Sequence, residues 1–189
     1  DLHSFPTRRS SDLWQIERTR YVLTHGMLRK ILGTALHIPP EDIVYVRNSY
    51  GKPALKSGGL NFNMSHSDSL CIIGISYVNS IGVDIQRHVF IEDMWGIAAN
   101  ILSSVEYQLL YNTPVSHQKA EFFNMWTRKE ALLKCIGTGL ANGQMLYSIL
   151  PHGKHRAIAI HECQGELPVK ISYGVVGSSF SWGVALGSP

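Results

Sequence analysis

Gly82-Val83-Asp84-Ile85-Gln86 and, about forty residues later, Trp126-Thr127-Arg128-Lys129-Glu130-Ala131-Leu132-Leu133-Lys134 decide how this chain is read. The first segment reads as a strand and the second as a helix. In a strand, side chains alternate faces, so Asp84 and Gln86 point one way and Val83 and Ile85 the other. In a helix, Glu130 and Lys134 are i,i+4 neighbours on one face. Where that strand meets that helix face, two carboxylates, an amide and an ammonium converge. Such a group suits a hard divalent cation and a phosphate-bearing substrate. Mg²⁺ is usually held by one or two carboxylates, with substrate phosphates and water completing its shell.

The surroundings of the pair read as one compact protein of one or two small domains. The chain has 189 residues, 44% hydrophobic and 16% charged, enough to build a core and too apolar for a disordered segment. No apolar run approaches the roughly 20 residues that span a bilayer, and no secretory signal is visible, so no membrane association is expected. Cys71, Cys135 and Cys163 are three in number and show no metal-type spacing, which favours reduced thiols and a cytoplasmic protein. A net charge of +3 fits an anionic cofactor and an acidic partner. It is too small to argue for nucleic acid.

Along the chain, apolar residues at Tyr21, Val22, Met27, Leu28, Ile31 and Leu32 predict a helix over about 16–32, stopped by Gly33. Residues 43–46 read as a strand, 48–52 as a hairpin-like turn, and Phe62, Met64 and 71–77 as further strands. A helical pattern over 91–110 breaks near Ser103-Ser104. The clearest helix runs over 121–136 and stops at Gly137. Strands follow at 157–163, 169–176 and 180–186. The order of helix and then strands thus occurs twice, over about 14–86 and 115–186.

Ser4-Phe5-Pro6-Thr7-Arg8-Arg9-Ser10-Ser11-Asp12-Leu13 resembles one reading frame of a common sequencing adapter. Residues 1–13 are therefore expected to be an artefactual segment, the alternative being a natural basic arm.

Each candidate residue has a plain structural reading beside the chemical one. Asp84, in an apolar strand, needs a partner or a metal if buried, or else caps a turn at the strand end. Glu130 is by itself an ordinary exposed helix former. Lys134 could pair with Glu130 for about 0.2–0.5 kcal/mol. Ser65 and His66 are adjacent in a strand, so they face opposite ways and make a poor nucleophile-base pair. Lys52 lies in a turn, where lysines are usually solvated. Phe122, Phe123, Met125 and Trp126 form a bulky helical patch that reads as core.

Taken in order, Gly51-Lys52-Pro53, Asn61-Phe62-Asn63-Met64-Ser65-His66, the Asp84 strand and the Trp-x-x-Lys-Glu-x-x-x-Lys helix resemble the surfactin-type 4′-phosphopantetheinyl transferases over about residues 14–187. The resemblance implies an α+β fold, a pseudo-dimer of two similar α/β halves with the active site in the cleft between them. The halves would be 14–88, truncated at its start, and 89–189. It implies transfer of phosphopantetheine from coenzyme A to a serine of an apo acyl or peptidyl carrier protein, with Mg²⁺ as cofactor and a monomeric enzyme. Asp84 and Glu130 would hold the metal, with Gln86 a third candidate ligand. Glu130 would also act as general base, and Lys134 would clamp the pyrophosphate. Ser65, His66, Lys52 and Arg20 would contact coenzyme A. Lys129 would face outward or lie near the phosphates, and Glu106 would be supporting.

Gln86 departs from the family, whose members often carry Glu there. An amide oxygen can orient a metal-bound water but brings no charge. The alternative reading is therefore a truncated or degenerate member that binds coenzyme A or carrier protein without efficient catalysis. An unrelated Mg²⁺-dependent nucleotide hydrolase is a third reading.

Overall fold

The computed structural model describes residues 8–138 and 144–188, with side chains from Trp14 onward. It contains two compact units, Asp1–Ile43 and Val44–Pro189.

The first unit is a long helix, α1 (Arg8–Leu36), followed by a single 3-10 turn at Pro40–Asp42. The helix runs past both ends expected from sequence. A nucleated helix gains one hydrogen bond for each residue added, and Gly33 does not stop it. Gly33 has another use: a Cβ there would lie 2.8 Å from Ile38 O, so the missing side chain lets the chain fold back. His37 takes the left-handed φ of 56° that ends the helix. Arg29 Nη1 then donates to Pro40 O at 2.8 Å and Ile43 O at 3.0 Å, fastening the turn.

The second unit opens with two antiparallel hairpins, β1 (Tyr45–Arg47) with β2 (Pro53–Leu55), and β3 (Asn61–Ser67) with β4 (Leu70–Ser76). Next come β5 (Ile81–Arg87) and three helices, α2 (Met94–Ile101), α3 (Ser104–Asn112) and α4 (Val115–Ile136). The chain ends in β6 (Tyr147–Pro151), β7 (Arg156–His161), β8 (Gly165–Glu166), β9 (Val169–Val176) and β10 (Phe180–Gly187). The main sheet has the order β5-β10-β9-β7-β6, with β8 on β7. Its pairs are antiparallel.

The helix break expected near Ser103 is a capping box. Ser103 Oγ accepts from Glu106 N, and the Glu106 carboxylate accepts from Ser103 N, so each satisfies an orphan amide of the other. α4 ends at Gly137 with φ 85°, a left-handed cap that glycine adopts freely. Three strands were not legible from periodicity: β2 has three residues and starts at proline, β6 is short and ends in proline, and β8 has only two residues.

The sequence reading places a boundary between residues 88 and 89. In the structure β5 pairs along its whole length with β10, from Ile81 with Leu186 to Arg87 with Phe180. β5 thus belongs to the sheet built from the later strands.

α4 packs across β5 and β10 at backbone distance. A Cβ on Gly82 would meet Ala131 O at 2.0 Å, and one on Gly183 would meet Thr127 O at 2.6 Å. Two glycines on adjacent strands, two residues apart in register, therefore cut a groove for the helix. One core cluster joins Ala131, Leu132 and Cys135 of α4 to Ile149, Ala157, Ala159, Ile171 and Ala185 of the sheet. Nearer the start of α4, Phe122, Phe123 and Met125 pack with Ala98, Ile101, Leu102 and Leu110 of the short helices. Trp126 is partly buried against that cluster. Among the described residues no helix is long and apolar enough to cross a membrane.

Candidate active site

The site is built where β3, β5 and α4 meet. β3 is not a backbone partner of β5. Instead three side chains one strand repeat apart, Asn63, Ser65 and Ser67, accept from the amides of Val83, Ile85 and Arg87 at 2.8, 3.4 and 3.0 Å. The ladder covers the free edge of β5 with polar side chains. It also brings the Ser65 hydroxyl beside Asp84.

Asp84 is 4% exposed. Its Oδ1 accepts from Lys134 Nζ at 2.6 Å and from Ser65 Oγ at 2.8 Å. Its Oδ2 is buried with no hydrogen-bond partner. Burial pushes this carboxyl above its ordinary range; the Lys134 ammonium, the Ser65 hydroxyl and the Ile85 amide work against the rise. Glu130, one helical turn before Lys134 on α4, is raised to about 7. Burial is the main cause, the negative charge of Asp84 adds to it, and Lys134 opposes it. Two carboxylates, both raised by burial and one raised further by the other, share a single ammonium and form a site short of positive charge.

That deficit and the orphaned Asp84 Oδ2 fit a divalent cation. Among the described residues no three His, Cys, Asp or Glu side chains come together. A cation here would thus rest on two carboxylates, with further oxygens from substrate and water, the usual arrangement for Mg²⁺. Gln86 lies one strand repeat from Asp84 on the same face of β5 and is half-buried.

The remaining predicted residues fall in different places. Ser65 is buried on Asp84, whereas its neighbour His66 is exposed on the opposite face of β3. Lys52 Nζ donates to Cys135 O at 3.0 Å and to Ile81 O at 3.3 Å. It caps the last turn of α4, beside Asn48, whose amide donates to Gly137 O at 3.1 Å. Burial lowers the Lys52 pKa, and Cys135 opposes the shift. Arg20 lies on α1 in the first unit, where it pairs with Glu17 at 2.8 Å.

Lys129 requires a correction. It does not face outward. It is 2% exposed, and its ammonium donates to Glu106 Oε2, Ile101 O and Tyr147 O. Glu106, expected to be supporting, is its buried counter-ion. Sequence reasoning also missed the Asn63-Ser65-Ser67 ladder. Its signal was a polar residue at every second position of a strand.

A family model described as the 4′-phosphopantetheinyl transferase superfamily matches residues 80–184, which holds β5, α4 and the carboxylate pair. The chain belongs to this superfamily. It is 36% identical over 128 residues to the 4′-phosphopantetheinyl transferase HetI of Nostoc sp., covering 66% of this chain and 54% of that protein. It is 36% identical over 121 residues to the 4′-phosphopantetheinyl transferase gsp of Aneurinibacillus migulanus, covering 64% of this chain and 49% of that one. The chain thus spans about half the length of these curated relatives. Among solved structures it is similar to a holo-(acyl-carrier-protein) synthase from Bacillus anthracis in complex with CoA (3′,5′-ADP). The TM-score is 0.49 at 22% identity, over 58% of this chain and 96% of that one. The matched span is the part of this chain that holds Asp84, Glu130 and Lys134.

Proposed function

We propose that this chain transfers 4′-phosphopantetheine from coenzyme A to a serine of an acyl or peptidyl carrier protein, releasing 3′,5′-ADP. The observation that carries the reading is the meeting of Asp84, Glu130 and Lys134 in a chain of the phosphopantetheinyl transferase superfamily. The reaction breaks the P–O bond between the two phosphates of coenzyme A and forms one to the carrier serine. Phosphoryl transfer of this kind is mostly positioning and charge stabilisation.

In this reading Glu130 takes the proton of the serine hydroxyl. Asp84 and Glu130 would hold Mg²⁺, which supplies charge neutralisation on the pyrophosphate when bound. Gln86 would orient one of its waters. Lys134 stabilises the negative charge that builds on the departing 3′,5′-ADP. Ser65 keeps the Asp84 carboxylate turned toward α4. His66, Lys52 and Arg20 are assigned to the nucleotide side of coenzyme A; for Lys52 this requires exchange of a main-chain carbonyl for a phosphate.

The same reading holds the chain to be a pseudo-dimeric, monomeric, cytoplasmic enzyme of two α+β halves, 14–88 and 89–189. The support is the recurring order of a helix followed by hairpin strands. The test is incubation with coenzyme A, Mg²⁺ and an apo carrier protein, read by mass spectrometry. The expected result is a carrier heavier by one phosphopantetheine, abolished by EDTA. Modification unaffected by EDTA would remove the two-carboxylate metal site. Absence of modification, with coenzyme A still bound, would favour a binding member of the family, the reading to which Gln86 points.

A further inference from the structure

Lys134 already places one cation on Asp84. Its ammonium touches Asp84 Oδ1 at 2.6 Å and the Ser65 hydroxyl at 3.3 Å. The Lys134 side chain is 29% exposed, against 6% for Asp84, so the lysine approaches from the open side. The other Asp84 oxygen is buried without a partner. One ammonium thus serves two carboxylates. Glu130 lies near enough for Asp84 to raise its pKa.

Two cations competing for one buried carboxylate weaken each other's binding, because each lowers the negative potential the other needs. A lysine is suited to yield. Its charge sits at the end of a flexible four-carbon stem and can move without disturbing the helix that carries it.

We infer that Lys134 holds the place of the divalent cation at Asp84 in the free protein and exchanges that carboxylate for a substrate phosphate when cation and pyrophosphate enter. The inference rests on the two-carboxylate metal site of the preceding section. Its consequence is a linkage. The free protein binds the metal weakly, and a pyrophosphate-bearing ligand that draws Lys134 away tightens it. By reciprocity the metal tightens that ligand by the same factor.

The probe is Mn²⁺ alone, followed by electron paramagnetic resonance at about pH 8 without coenzyme A. Lys134→Met is expected to bind Mn²⁺ more tightly than the unsubstituted protein, on the order of tenfold, and Lys134→Arg to behave like the unsubstituted protein. Equal or weaker binding by Lys134→Met overturns the inference while leaving the metal site standing. Mn²⁺ bound by neither protein overturns the inference and the metal site together. A second measurement does not depend on the variant's folding. In the unsubstituted protein, the Lys134 ammonium ¹⁵N resonance is expected to shift as Mg²⁺ is titrated to saturation. A resonance that stays in place while the metal binds overturns the exchange.

Discussion

Lys129 Nζ lies 2.5 Å from Glu106 Oε2, and the two side chains are 3% and 0% exposed. Ile101 O at 2.9 Å and Tyr147 O at 2.8 Å take the remaining ammonium protons. Glu106 in turn accepts from Ser103 N at 2.8 Å and from Ile149 N at 3.0 Å. The pair thus ties the end of α2, the start of α3, the start of β6 and the middle of α4. It lies one residue before Glu130 and sets the rotation of the helix that presents Glu130 and Lys134.

Removing one member of this pair leaves an uncompensated buried charge. Lys129→Met or Glu106→Gln alone is expected to cost about 3–5 kcal/mol of stability. The double variant should cost clearly less than the two single losses added together. Urea unfolding of the four proteins measures this coupling, and strictly additive losses would show that the two residues act independently.

Asp84→Ala and Glu130→Ala are each expected to reduce transfer to an apo carrier to near background. Gln86→Ala should cost far less, since it removes an orienting amide and no charge. Gln86→Glu should tighten Mg²⁺ binding by adding an anion to the site. Steady-state transfer rates across a Mg²⁺ titration decide the matter. If Gln86→Ala were as inactive as Asp84→Ala, the amide would have to be counted as a ligand.

The raised Glu130 carboxyl makes stability depend on pH in a definite direction. Its ordinary value is 4.5 and the fold holds it at about 7, so between those values the folded protein keeps a proton that the unfolded chain releases. The contribution is complete below about 4.5 and is lost as pH rises through about 7. Asp84, also raised, acts in the same direction. In EDTA, the melting temperature should therefore fall more from pH 5 to pH 8 in the unsubstituted protein than in Glu130→Gln. Identical pH profiles would contradict the shift.

Gly82→Ala tests the close contact of helix and sheet. The new methyl would fall 2.0 Å from Ala131 O and 2.2 Å from Cys135 N, both backbone atoms, so α4 must lift from β5. The expected loss is about 1–3 kcal/mol or more. Metal affinity should fall with it, because the same displacement separates Asp84 from Glu130. Unchanged melting and unchanged Mn²⁺ binding would show that the groove has slack.

Much of the site could be read before the fold was known because its signals are local. Alternation along residues 82–86 put Asp84 and Gln86 on one face, and helical spacing put Glu130 and Lys134 on another. The break at Ser103 and the stop at Gly137 are likewise local, since a capping box and a left-handed glycine are properties of a few neighbouring residues. Lys129 was misplaced for the opposite reason. Nothing within one turn of it distinguishes a solvated lysine from a buried one, and its counter-ion lies 23 residues away in sequence.

The sequence by itself determined the existence of the main helices, most of the strands and which charged groups share a face, because those follow from backbone periodicity. Only the tertiary structure decided which faces meet. It put Lys134 on Asp84 across 50 residues and Lys52 on the end of α4 across 83. It also joined β5 to β10, nearly a hundred residues on. Those choices belong to packing: Gly82 and Gly183 let the helix settle onto the sheet, and settling is what brings the half-buried Glu130 to the buried Asp84.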